Sequence, residues 1–87
     1  MHNDIMSTVK SYILSEYLPG EDPNELTEST PLIKGGILDS IAVVRVVTFL
    51  EEKFNIELKP EEVIVENLNT ISGMANLIQR KLKETQE

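Results

Sequence analysis

Apolar residues recur at intervals of three and four in three separate stretches of this chain. A chain with that pattern buries its apolar surface by packing helix faces together. The middle stretch is the clearest, with Val43, Val46, Val47, Leu50 and Phe54 at offsets of zero, three, four, seven and eleven. Val44 and Phe49 are expected to broaden the same buried surface. Ile5, Val9, Tyr12 and Ile13 line one face of an earlier helix over about 4–17, and Ile71, Met74, Ala75, Ile78 and Leu82 repeat the pattern over about 70–83. The central helix, over about 40–54, is rich in valine, whose β-branching restricts χ1 and weakens helix propensity. Tertiary burial must therefore hold it in place.

Pro19-Gly20 closes the first helix. From Glu21 to Gly36 the chain carries prolines, glycines and short polar residues with too few periodic apolar positions for a regular element. A loop that long in a small domain is uncommon and usually functional or pinned by its own side chains. Leu26, Leu32, Ile33 and Ile37 are the expected pins. Lys59-Pro60-Glu61-Glu62 begins a short helix over about 60–66, with proline at the first position and glutamates near the positive end of the dipole. Val63-Ile64-Val65 would also suit a strand, but no partner strand is apparent. Asn55 suits a helix stop, Thr70 caps the last helix, and Arg80, Lys81 and Lys83 near its end suit the dipole there. The expectation is an all-α fold: a small antiparallel bundle of three main helices plus one short helix, with a long loop between helices one and two. Residues 1–87 form one domain, without repeat, low-complexity tract or internal linker.

A domain of 87 residues buries only roughly 60% of the surface its unfolded chain exposes. With no cysteine, neither a disulfide nor a thiolate metal site can supplement that core. Fifteen acidic against eight basic residues give a net charge of -7, which repels phosphate backbones and argues against nucleic acid or an anionic membrane as partner. Basic protein surfaces are the more natural docking targets. The five acidic residues Glu16, Glu21, Asp22, Glu25 and Glu28, with no lysine or arginine among them, read as a solvated acidic segment. No stretch is apolar for long enough to cross a bilayer, and Met1-His2-Asn3-Asp4 lacks the features of a secretory signal. A cytoplasmic monomer is expected.

Chemistry narrows to one serine. In Gly35-Gly36-Ile37-Leu38-Asp39-Ser40-Ile41, Ser40 stands where a loop becomes the central helix. Asp39 is positioned to cap, which directs the serine hydroxyl to solvent. A phosphodiester there would meet unpaired backbone N–H groups and the positive end of the dipole. An Asp-Ser pair before an apolar run is also what plain helix capping looks like, and both readings stand at this point. A hydrolase would need a base beside Ser40, yet the only histidine is His2, near the terminus, so no catalytic residue is assigned and no enzyme is expected. There is no Asp-x-Asp-x-Asp-Gly loop, histidine cluster or phosphate-cradling glycine-lysine motif, and no metal or nucleotide site is predicted.

Three strings together, Leu38-Asp39-Ser40-Ile41, Glu51-Glu52-Lys53-Phe54-Asn55-Ile56 and Asn67-Leu68-Asn69-Thr70-Ile71, resemble the acyl and peptidyl carrier proteins, over nearly the whole chain from Ile5 to about Leu82. The resemblance implies that a phosphopantetheinyl transferase moves phosphopantetheine from coenzyme A onto Ser40. The thiol of that covalent arm then carries an acyl or aminoacyl group as a thioester, and the missing cysteine fits, because the sulfur comes from the cofactor. It also implies that Asp39 and Ile41 help the modifying enzyme recognise the site and that the central helix forms much of the partner surface. Tethering replaces diffusion by intramolecular delivery, at effective concentrations on the order of millimolar.

One departure bears on the pathway. Carriers of fatty acid synthesis usually bear several acidic residues along the central helix, whereas here Ala42, Arg45 and Thr48 precede Glu51 and Glu52, and charges over 41–54 cancel. Charge complementarity governs partner choice, so a neutral helix with an exposed Arg45 suits a different partner. The expectation is a specialised carrier of a polyketide, nonribosomal peptide or aminoacyl pathway, loaded by an acyl- or aminoacyl-adenylating ligase and serving downstream biosynthetic enzymes. A fatty acid synthesis carrier is the alternative; an unmodified helical protein-interaction module, with Ser40 a mere cap, is the alternative of another class. Gly73, Ala75 and the central valines could leave room to shelter cargo, although such residues more often mean close helix packing.

Overall fold

The computed structural model describes residues 2–86, with side chains from 4 to 84; the side chain of His2 lies outside the described residues. Helix α1 spans His2–Tyr17, α2 Ser40–Phe54, α3 Val65–Leu68 and α4 Ile71–Gln86, with 3-10 turns at Pro23–Glu25 and Pro60–Glu62. No strand occurs among the described residues, so the fold is all-α. Helix α4 is the hub, packing against α1, α3 and α2. Its Ile71, Met74, Ala75, Leu77 and Ile78 are all buried, against Ile5, Val9 and Ile13 of α1 and Ala42, Val46 and Leu50 of α2 in one core. On the flank of that core Tyr12 of α1 stacks on Phe49 of α2, with centroids 3.8 Å apart and planes within 8°.

The buried stripe of α2 differs from the expected one. Val44 is 64% exposed and Ala42 is buried in its place. Seven residues from Ile41 to Val47 include only one that is not apolar, so periodicity alone cannot choose the inward face; Ala42, Val46 and Leu50, spaced by four, occupy it. The helix stops at Asn55, whose left-handed backbone (φ 53°) lets its N–H bond the carbonyl of Glu51.

The expected short helix over 60–66 is broken in two. Glu62 Oε1 accepts the N–H of Lys59 at 2.9 Å, which tightens residues 60–62 into a 3-10 turn. Ile64 is then extended (φ -129°, ψ 159°) before α3 begins at Val65. Two adjacent β-branched residues, Val63 and Ile64, make that break inexpensive. Thr70 lies just outside α4 and caps it, its Oγ1 accepting the Gly73 N–H at 3.0 Å.

Lys81, expected as a cation at a helix end, is instead 6% exposed. Its Nζ reaches Glu62 Oε1 at 3.0 Å and Glu84 Oε1 at 3.6 Å, fastening the 60–62 turn to α4. The hydrogen bonds from the Lys59 N–H and from Lys81 hold the Glu62 carboxyl below its usual range. The Glu62 carboxylate in turn raises Lys81.

The long loop is pinned as its composition suggested. Leu26 and Leu32 are buried, and Ile33 and Ile37 pack against the core from its edge. Gly36 has φ 85°, a conformation that L side chains rarely adopt, and a Cβ on Gly35 would collide with the carbonyl oxygen of Pro31.

Candidate functional site

The site is built at the mouth of α2. Asp39 is extended (φ -89°, ψ -175°) and its Oδ1 accepts the Ala42 N–H at 2.8 Å, while its carbonyl accepts the first intrahelical bond, from Val43 N–H at 2.9 Å. The N–H groups of Ser40 and Ile41 precede that bond and have no intrahelical acceptor. Ser40 is the first helical residue and is exposed. Its hydroxyl is not spent on capping, because Asp39 does the capping.

Two depressions flank the serine. One, of about 440 Å³, is lined by Ser40 and Asp39 together with apolar side chains of the loop (Ile33, Leu38), of α2 (Val43) and of the α3 region (Val63, Ile64, Val65, Leu68). The other, of about 220 Å³, brings Ile41 and Arg45 to Asp39, Tyr17, Ile37 and Ala42. All four sequence-predicted positions, Asp39, Ser40, Ile41 and Arg45, therefore lie on one end of α2. Ile41 is 68% exposed, and with Val44 three residues on it makes the outer face of α2 apolar beside Arg45.

Sequence reasoning missed the apolar wall at Val63–Val65, whose exposure follows from the break before α3, and it had Asn69 only as part of a string, without its bonds to the loop. The carbonyl of Asn69 accepts the Leu32 N–H at 2.6 Å. Its Oδ1 accepts the Ile33 N–H at 2.9 Å and the Lys34 N–H at 3.0 Å. Only a contact across 35 residues reveals that role, and no local pattern carries it. Among the described residues no group of carboxylates, histidines or cysteines could hold a metal ion, and no helix is long and apolar enough to cross a membrane.

A bundle with an uncommitted serine at a helix mouth, beside an apolar groove, defines a domain suited to carrying a covalent group. The family described as "Phosphopantetheine attachment site" matches residues 13–78, and the chain belongs to it. A relative named "Probable acyl carrier protein PigG", from Serratia sp. (strain ATCC 39006), is 31% identical over 74 residues, 85% of this chain and 84% of that protein. The chain is a carrier protein of the phosphopantetheine-binding class, and its prosthetic group is covalently bound phosphopantetheine. The residues present fit such a group: an exposed hydroxyl for the ester, free N–H groups at the helix start for the phosphate, and apolar walls alongside.

Proposed function

We propose that Ser40 is the residue that bears the phosphopantetheine arm, and that the chain delivers acyl or aminoacyl groups to biosynthetic enzymes without catalysing any step itself. The observation that carries this reading is the exposed, unspent hydroxyl of Ser40 beside a capping Asp39. When bound, the arm supplies a thiol on which cargo rides as a thioester. Ser40 would anchor it, the N–H groups of Ser40 and Ile41 would be the ones available to its phosphate, and Asp39 keeps the helix mouth in shape. Incubation with coenzyme A and a broad-specificity phosphopantetheinyl transferase is expected to add the mass of one arm to the wild type and none to Ser40→Ala. An unmodified wild type, or a modified Ser40→Ala, would refute the assignment.

The partner reading rests on the same end of α2. Ile41, Val44 and Arg45 form an exposed face that is apolar with one positive charge, which supports a specialised carrier loaded with an amino, aryl or short acyl acid by a dedicated adenylating ligase. Asp39 and Ile41 are the contacts offered to the transferase, and Arg45 the one offered to later partners. Fatty-acid enzymes are expected to load the wild type poorly and Arg45→Glu better. Efficient loading of the wild type, with no gain in Arg45→Glu, would favour the fatty acid synthesis role.

A further inference from the structure

The loop in front of Ser40 owes its shape to a residue far along the chain. Between Pro31 and Gly36 the backbone makes a helix-like turn, with Gly35 N–H donating to the Pro31 carbonyl and Gly36 N–H to that of Ile33, each at 3.1 Å. A turn begun this way leaves its first N–H groups without acceptors of their own. Pro31 has none to satisfy. The next three, of Leu32, Ile33 and Lys34, all go to Asn69, at 2.6, 2.9 and 3.0 Å. This is the service an N-cap performs, supplied here from another part of the fold.

The geometry continues to the serine. Leu38 N–H returns to the Leu32 carbonyl at 2.9 Å, both side chains are buried, and the next residue is the cap Asp39. Asn69 itself lies between Leu68, which lines the groove beside Ser40, and Thr70, which caps α4. It thereby ties the loop wall of that groove to the α3 wall.

We propose that Asn69 is the positioning residue of the attachment site: by capping the Pro31–Gly36 turn it holds the approach to α2 in one shape and sets how often Ser40 is presented to the modifying enzyme. This rests on the assignment of the arm to Ser40. Asn69 acts only through the loop.

The test is the kinetics of arm transfer from coenzyme A to the full chain by a broad-specificity transferase, with carrier concentration varied. A loop that is less often in the competent shape raises the KM for the carrier in inverse proportion to the competent fraction and leaves kcat alone. Loss of the Asn69 side-chain acceptor in Asn69→Ala is expected to shift the ratio of competent to open loop by about five- to thirtyfold, and KM rises several-fold as the competent fraction falls. Asn69→Asp keeps an acceptor oxygen and is expected to restore most of the loss. Val9→Ala, which destabilises through α1, is expected to leave KM at the wild-type value. Amide exchange at Ile33 and Lys34 should accelerate in Asn69→Ala more than at Val46 in the core. If Asn69→Ala does not hold its fold, Asn69→Ser is compared in the same way. An unchanged KM in the alanine or serine variant overturns the proposal, as does an equal rise in Asn69→Asp or Val9→Ala, which would mark a general stability effect. A wild type that takes no arm at Ser40 refutes the underlying assignment instead, before any variant is compared.

Discussion

Asp39 and Ser40 are neighbours with opposite commitments. The Asp39 carboxylate accepts the Ala42 N–H at 2.8 Å, so the helix start does not need the serine, and the Ser40 hydroxyl is left to solvent. Removing the cap should therefore cost what caps usually cost: Asp39→Ala is expected to lower stability by about 1 kcal/mol. Ser40→Ala, an exposed change outside the cap, should stay within about 0.5 kcal/mol of wild type. Urea unfolding of the two variants side by side checks both figures. If Ser40→Ala proved the more damaging, the serine would be the structural residue of the pair.

At the scale of the element, the turn at Pro60–Glu62 is held by one carboxylate with two partners, the Lys59 N–H and the Lys81 ammonium. Glu62 is depressed below its usual 4.5, so its contribution is present above that pH and is lost as pH falls through the folded value. Lys81 is raised above its usual 10.5, so its contribution is present below that pH and is lost as pH rises through the folded value. Tyr12, which burial, with Tyr17 adding, pushes up to about 12, adds a loss between its usual 10 and that value. Lys81→Met is thus expected to flatten the alkaline limb of the stability-pH curve except for the Tyr12 share, and to soften the acid limb without abolishing it, because the bond to Lys59 remains. Glu62→Gln should remove the Glu62 share of the acid limb and flatten the alkaline limb except for the Tyr12 share and what Glu84 still adds to Lys81. Denaturant midpoints measured across pH read these shapes directly. The same turn shows where sequence reading stops. The three long helices were legible because a 3.6-residue period is a local signal, and the family because the strings that carry the resemblance are contiguous. The turn before the break at Ile64 is fastened to α4 by Lys81, and the loop shape is held by Asn69, contacts made only after the chain has folded. The inward face of α2 was ambiguous for another reason: residues 41–47 are apolar almost throughout, so several faces satisfy the same period.

For the whole molecule, the radius of gyration of 12.2 Å is close to the roughly 12 Å expected of a folded chain this long. At typical values per residue, 87 residues give a stability on the order of 4–13 kcal/mol. A single core truncation is then a large fraction of the total. Leu50→Ala, at a fully buried position of α2, is expected to cost about 2–5 kcal/mol, and thermal unfolding followed by circular dichroism should show a lowered midpoint in one cooperative step. A loss below about 1 kcal/mol would mean that the surrounding helices collapse onto the space.

The bonds that shape the serine loop also bear on synthesis. Their acceptor lies at Asn69, and a further bond, from Ser72 N–H to the Glu28 carbonyl at 3.0 Å, joins the same loop to α4. A polypeptide still emerging from the ribosome reaches Ser40 well before it reaches either. Until the last helix docks, the loop in front of Ser40 lacks those bonds, so on the assignment proposed above the residue that bears the arm takes its final setting only when the molecule is complete.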